Sequence, residues 1–133
     1  MIARNNLIDI LFVIVPHSLL LDIAGPAEAF RLANQHRAAR GLAPRFSLRF
    51  AGAVAAPPSS VGLPIGSLIP LPAQLDATTW VVVVGQPTEH LSRVTPALAA
   101  TSRWLNQQLR EPLRDPESPH RLVTICSGTL LAA

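Results

Sequence analysis

A single cysteine, Cys126, stands between an apolar stretch and a small-residue turn in Leu122-Val-Thr-Ile-Cys-Ser-Gly128, which runs on into Thr129-Leu-Leu-Ala-Ala133. A short β-branched run that meets such a turn and then becomes helix-forming predicts a strand, a sharp corner and a helix start. The sulfur is then lifted out of the sheet, with the N–H groups of the first helical turn aimed at it. The chemistry available to such a residue is nucleophilic attack through a thiolate. The plain alternative is an inert core cysteine, although core cysteines seldom stand between a strand end and Ser-Gly.

The elements that must hold this corner are legible in the rest of the chain. Leu7-Ile-Asp-Ile-Leu-Phe-Val-Ile-Val15 is a β-branched run bounded by Pro16-His17, the pattern of a strand covered on both faces. Arg4 before it and Leu19-Leu20-Leu21 after it resemble a signal peptide. Asp9 inside the run and the Pro16 break argue against that reading, and no stretch reaches the roughly 18 apolar residues of a membrane span. Gly25 to Arg40 is predicted as a helix, with Pro26 near its first turn, Gly41 past its end, and an apolar face through Ala29, Phe30, Ala33 and the stem of Arg37.

Arg45 to Ala51 alternates as a second strand, paired with the first. Between Ala53 and Pro72 lies an excursion rich in Pro, Gly and Ser, in which two short strands are expected around Pro64-Ile-Gly66. Trp80-Val-Val-Val-Val84 is the plainest strand and ends at Gly85-Gln86-Pro87. A helix from Pro96 to Arg110 follows with Leu98, Trp104, Leu105 and Leu109 at helical spacing, then a polar loop to His120 and a last strand from Arg121 to Ile125. Alternation of this kind predicts an α/β fold with a parallel, doubly wound sheet in one domain. Function in such sheets collects outside the carboxyl ends of the strands, which selects the loops at Pro16 to Asp22, Gly85 to His90, and Cys126.

Composition narrows the classes. With 49% apolar and 14% charged residues the chain has a core to build and is not disordered. All eleven basic residues are arginines, but they are scattered from Arg4 to Arg121 and form no stripe for phosphates. One cysteine makes no internal disulfide, and no Cys/His spacing fits zinc, so a reducing, cytoplasmic setting is expected, with no metal or organic cofactor and no membrane partner.

Leu21-Asp-Ile-Ala-Gly-Pro-Ala-Glu-Ala-Phe30 after the first strand, the glycine loop after the valine strand, and Ile125-Cys-Ser-Gly-Thr-Leu-Leu131 together resemble the ThiJ/PfpI superfamily. That group has a flavodoxin-like fold related to class I glutamine amidotransferases. The pattern is nearest to isocyanide-hydratase-like enzymes and to the amino-terminal domains of GlxA-type regulators of the AraC family. The resemblance implies that residues 1–133 are part of such a domain, ending soon after the elbow and incomplete at that end. In the regulator branch a helix-turn-helix domain outside these residues would read DNA. Exposed apolar surface follows from that expectation, and a homodimer is implied for the full-length protein.

Carried over by position, the resemblance makes Cys126 the elbow nucleophile and Asp22 the acid beside it, the proton donor in an active member. Gly85 and Gln86, with Ser127, match the loops whose N–H groups form an oxyanion hole. The family pattern there is Pro-Gly-Gly; this chain has Val84-Gly85-Gln86, so a side chain at the second glycine's place narrows or redirects the hole. His17 lies in the loop after the first strand and is a candidate for lining the same small-molecule pocket.

Each assignment has a plainer reading. Asp22 also suits a helix N-cap, and Glu28 a first-turn acid. His36 and His120 read as surface residues, His90, which follows the Gly85 loop, as a capping or surface histidine or else a residue near the ligand, and Trp80 and Trp104 as core. Two functions fit: a ligand-sensing domain of a transcription regulator, or a cysteine-dependent hydratase or hydrolase of a small electrophile.

Overall fold

A computed structural model describes residues 6–133; Arg4 lies outside them. Four strands, β1 (Ile8–Val13), β2 (Phe46–Ala51), β3 (Thr79–Val83) and β4 (Arg121–Thr124), form one sheet in the order β2-β1-β3-β4. Every pairing is parallel, with Ile8 opposite Phe46, Val13 opposite Val83, and Val83 opposite Thr124. The helices are α1 (Leu20–Ala39), α2 (Pro96–Leu109) and the short α3 (Gly128–Ala132).

The pleat sorts the core onto two faces. Ile8, Ile10, Phe12 and Ile14 of the first run, with Val82 and Val84, face Ile23 and Phe30 of α1. Leu11, Val13, Val81 and Val83 face Trp104, Leu105 and Leu109 of α2. Because β1 and β3 are covered on both sides, they show continuous apolar runs instead of alternation. Each fully buried aliphatic side chain contributes about 1.5–3 kcal/mol relative to exposure, so these two strands carry the fold. Trp104 is a core side chain that donates its indole N–H to the Pro72 carbonyl, whereas Trp80, expected as core, is half-buried and packs against the core near Phe30 and Phe46.

Several sequence expectations change. The first helix begins at Leu20, not Gly25, and Pro26 lies inside it. Its apolar stripe is Ile23, Ala27 and Phe30, while Ala29 is exposed. The stripe continues to Asn34, whose amide bonds the backbone of Arg45 and Phe46 and docks the helix on β2. Nothing local caps the helix start: the Leu19 N–H donates to the Gly85 carbonyl and the Leu20 N–H to Ser60 Oγ. Asp22 is therefore a first-turn residue, and the N-cap is Leu19.

The excursion forms no strands among the described residues, only isolated bridges at Ala51–Ile69 and Pro58–Pro64. Its prolines have no N–H to give to a ladder. His120 is not a free surface residue, since its Nδ1 accepts the Thr79 N–H.

Candidate functional site

Three loops meet at the carboxyl end of the sheet. The first, residues 16–19, follows β1; the second, residues 84–95, follows β3; the third is the corner after β4. At that corner Ile125 still donates its N–H to the Val83 carbonyl, as an extension of the strand, and the chain then turns sharply. Cys126 takes up a positive φ of 54°, a conformation that is strained for a residue with a Cβ. The side chain is exposed as a free thiol.

Gly128 explains how the corner is so tight. A Cβ on this residue would lie 2.4 Å from the Val83 carbonyl oxygen, so only glycine lets α3 start directly against β3. The motif Cys-Ser-Gly carries this signal, yet a sequence reading centred on the thiol passes over it.

Gly85 is the hub of the site. A Cβ there would sit 2.8 Å from Ser127 Oγ, 3.0 Å from Asp22 Oδ2 and 3.1 Å from Cys126 Cβ. Asp22 of α1 and two residues of the corner after β4 thus close on one glycine. Its N–H donates to Asp22 Oδ2 at 3.2 Å, which places that carboxyl group, from the first turn of α1, beside the Cys126 corner.

Gln86 bridges the loops. Its side-chain amide donates to the Pro16 carbonyl at 2.7 Å, tying the loop after β3 to the loop after β1. Its backbone N–H donates to Ser127 Oγ at 2.9 Å, and the Ser127 hydroxyl donates to the Gln86 carbonyl at 3.1 Å. The Gln86 side chain therefore fills a structural role away from the sulfur, and the N–H groups of Gly85 and Gln86 both have acceptors within the chain. The Ser127 N–H has none among the described residues.

His17 belongs to the adjoining space. It holds a positive φ of 67°, donates its N–H to the Pro58 carbonyl, and stacks its ring on His90 with centroids 4.0 Å apart and planes 4° from parallel. This pair walls a cavity of about 300 Å³ that shares Gln86 with the elbow. Of the two sequence readings of His90, a capping or surface residue and a residue near the ligand, its position in the wall of this cavity accords with the second. The sequence offered no sign of the stack, because the partners come from different loops.

The six candidates accordingly divide. Asp22, Gly85, Cys126 and Ser127 converge on one point; Gln86 buttresses it; His17 stands in the neighbouring cavity. Chemically, the point offers an exposed thiol, a carboxyl group that meets the same glycine, and the unengaged N–H of Ser127. No group of three or more His, Cys, Asp or Glu among the described residues is placed to hold a metal ion. No helix among them is long and apolar enough to cross a membrane.

No family model and no curated protein matches the chain. Among solved structures, it is similar to the crystal structure of a ThiJ/PfpI family protein from Pseudomonas syringae, with a TM-score of 0.56 and 18% identity over 92% of this chain. The chain spans 43% of that protein's length. A likeness at this identity establishes the fold: an α/β, flavodoxin-like, doubly wound parallel sheet.

Proposed function

We propose that the chain is the ligand-sensing part of a GlxA-type regulator of the AraC family, with a small molecule bound at the cysteine elbow and DNA read by a separate helix-turn-helix domain. The observation that carries this reading is the pairing of the Gly85 and Gln86 N–H groups with Asp22 and Ser127. An oxyanion hole works through donors held free for charge that develops in the transition state. Here two of the three donors already have acceptors, which suits a pocket that binds and does not turn over. A cytoplasmic, dimeric full-length protein belongs to the same proposal.

The test is a progress curve with a small electrophile, an aryl isocyanide in one experiment and p-nitrophenyl acetate in another. The expected result is no turnover beyond one equivalent per chain. Sustained turnover that disappears in Cys126→Ser overturns the sensor reading. On this reading the full-length protein carries ~60 to 80 further residues that complete the sheet and then ~100 residues with two helix-turn-helix units, which sequencing the surrounding reading frame tests.

A second reading, a cysteine-dependent hydratase or hydrolase, rests on the exposed Cys126 at positive φ with Asp22 across Gly85. In that reading the sulfur adds to the electrophilic carbon, Asp22 delivers the proton to the developing anion, and water later releases the product. The same progress curves decide between the two.

A further inference from the structure

In the cavity that adjoins the elbow, two imidazoles lie face to face. The rings of His17 and His90 have centroids 4.0 Å apart and planes 4° from parallel, and both side chains are half-buried. They come from loops that share no ladder, His17 from residues 16–19 and His90 from residues 84–95. The stack therefore joins those loops, beside the bond from the Gln86 side-chain amide to the Pro16 carbonyl at 2.7 Å. His17 is also pinned from behind. Its backbone N–H reaches the Pro58 carbonyl at 2.7 Å, with a positive φ of 67° that is costly for a residue with a Cβ.

The charge around the pair has one sign. Of the side chains that line the cavity, Arg93 is the one that carries a fixed charge. The excursion that pins His17 has no charged residue from Ala53 to Pro72, and the start of α2 contributes only the neutral stretch Thr95 to Leu98. Glu89, next to His90, is exposed and lies outside the lining. The Asp22 carboxyl group of α1 accepts the Gly85 N–H and is likewise outside it. No acid among the described residues thus lines this cavity to balance a proton on either ring. The corner after β4 and α3 contribute nothing to its walls.

We propose that the stack is a proton-operated latch between the loop after β1 and the loop after β3. Imidazole is the side chain that ordinarily changes charge between pH 5 and 8. Uncharged, the two rings pack face to face and hold the loops together. As the pH falls each takes up a proton from solvent, and two cations 4.0 Å apart, with Arg93 in the same cavity, repel. Imidazole N–H bonds lie in the ring plane, so parallel rings cannot hydrogen-bond one another to offset that charge. The rings then part, and the cavity of about 300 Å³ opens beside Gln86. The same geometry argues against a metal chelate, since in-plane lone pairs of parallel rings do not converge on one point. A pair of phenylalanines would pack the loops as well and lack this response.

The experiment is NMR of the protein at pH 8 and at pH 5. Nuclear Overhauser contacts between the two rings are expected at pH 8 and lost at pH 5. Amide exchange, corrected for its intrinsic pH dependence, is followed at the Leu19 N–H, which bonds the Gly85 carbonyl between the same loops. Its protection should fall about fivefold or more at pH 5, while that of buried Leu11 in β1 is unchanged, as local opening requires. His90→Phe keeps a ring face and removes one charge, so it should retain Leu19 protection at pH 5, a cation being attracted to an aromatic face. His36→Gln, at an exposed position of α1, should respond as the parent does. Ring contacts that persist at pH 5, unchanged Leu19 protection, an equal fall at Leu11, an equal fall in His90→Phe or loss of the response in His36→Gln overturns the latch. If His90→Phe does not fold, as judged by circular dichroism, the parent's ring contacts and its Leu19 and Leu11 exchange decide alone. The sensing proposal is judged separately, by turnover at Cys126 at one fixed pH.

Discussion

The two ends of the sheet are built differently. At the amino end, side chains join strands that are already neighbours in the sheet: Asp9 of β1 takes a two-pronged bond from Arg49 of β2, and His120, just before β4, accepts the N–H of Thr79 at the start of β3. At the carboxyl end, side chains reach across to the backbone of other loops, Asp22 to Gly85, Ser127 to Gln86 and Gln86 to Pro16. Two residues there, His17 and Cys126, hold positive φ values. The first arrangement ties strands that already pair. The second fixes the relative positions of three loops that share no ladder, which is what a site requires. Strain is gathered where positioning matters, as expected when surrounding contacts over-determine a local conformation.

Substitutions at the two ends should therefore separate stability from site geometry. The largest effect is expected for Gly128→Val, where the new side chain collides with the Val83 backbone. A loss of about 3 kcal/mol or more in urea unfolding is expected, with α3 displaced. Gly85→Ala comes next, at about 1–3 kcal/mol, because its methyl group meets Ser127, Asp22 and Cys126 at once. It should also change the rate of Cys126 alkylation by iodoacetamide several-fold.

Arg49→Ala, at the opposite end, should cost about 1–2 kcal/mol, since it leaves the mostly buried Asp9 carboxylate unpaired while the arginine itself is 38% exposed. Its alkylation rate should match that of the parent. If Arg49→Ala alters Cys126 reactivity as much as Gly85→Ala does, the two ends are not independent and the comparison breaks. The smallest effect is expected for Gln86→Ala, about 1 kcal/mol for the lost bond to Pro16. Its sharper readout is faster amide exchange at the Leu19 N–H, which bonds the Gly85 carbonyl in the same pair of loops.

What could be read from the sequence was what depends on neighbours along the chain. The strands at Ile8–Val13 and Thr79–Val83 were visible because burial on both faces leaves an unbroken apolar run. The start of α1 was not, because its cap groups come from Gly85 and Ser60 instead of from a local Ser or Asp; Gly25-Pro26 then mimicked a helix start. In the excursion, apolar pairs mimicked strands that the prolines prevent. At the site, the expectation that Asp22 and Gly85 lie beside Cys126 came from the family resemblance and not from the residues alone, and the stack of His17 on His90 is a product of tertiary structure that neither offered. The side chain at Gln86 was recognisable as a departure from a glycine pattern; that it turns to the Pro16 carbonyl was not.

The convergence on Gly85 also sets an order of events in folding. Asp22 is 63 residues from Gly85, and Gln86 is 41 residues from Ser127, so each contact closes a long loop before it contributes anything in return. Parallel pairing adds the same burden at every step of the sheet, and long-range pairing of this kind is slow. The pocket is thus among the last features to assemble, since it needs β1, β3 and β4 already side by side. The time course of Cys126 reactivity during refolding then serves as a clock for the final step, reporting when the three loops close around Gly85 and not merely when the chain becomes compact.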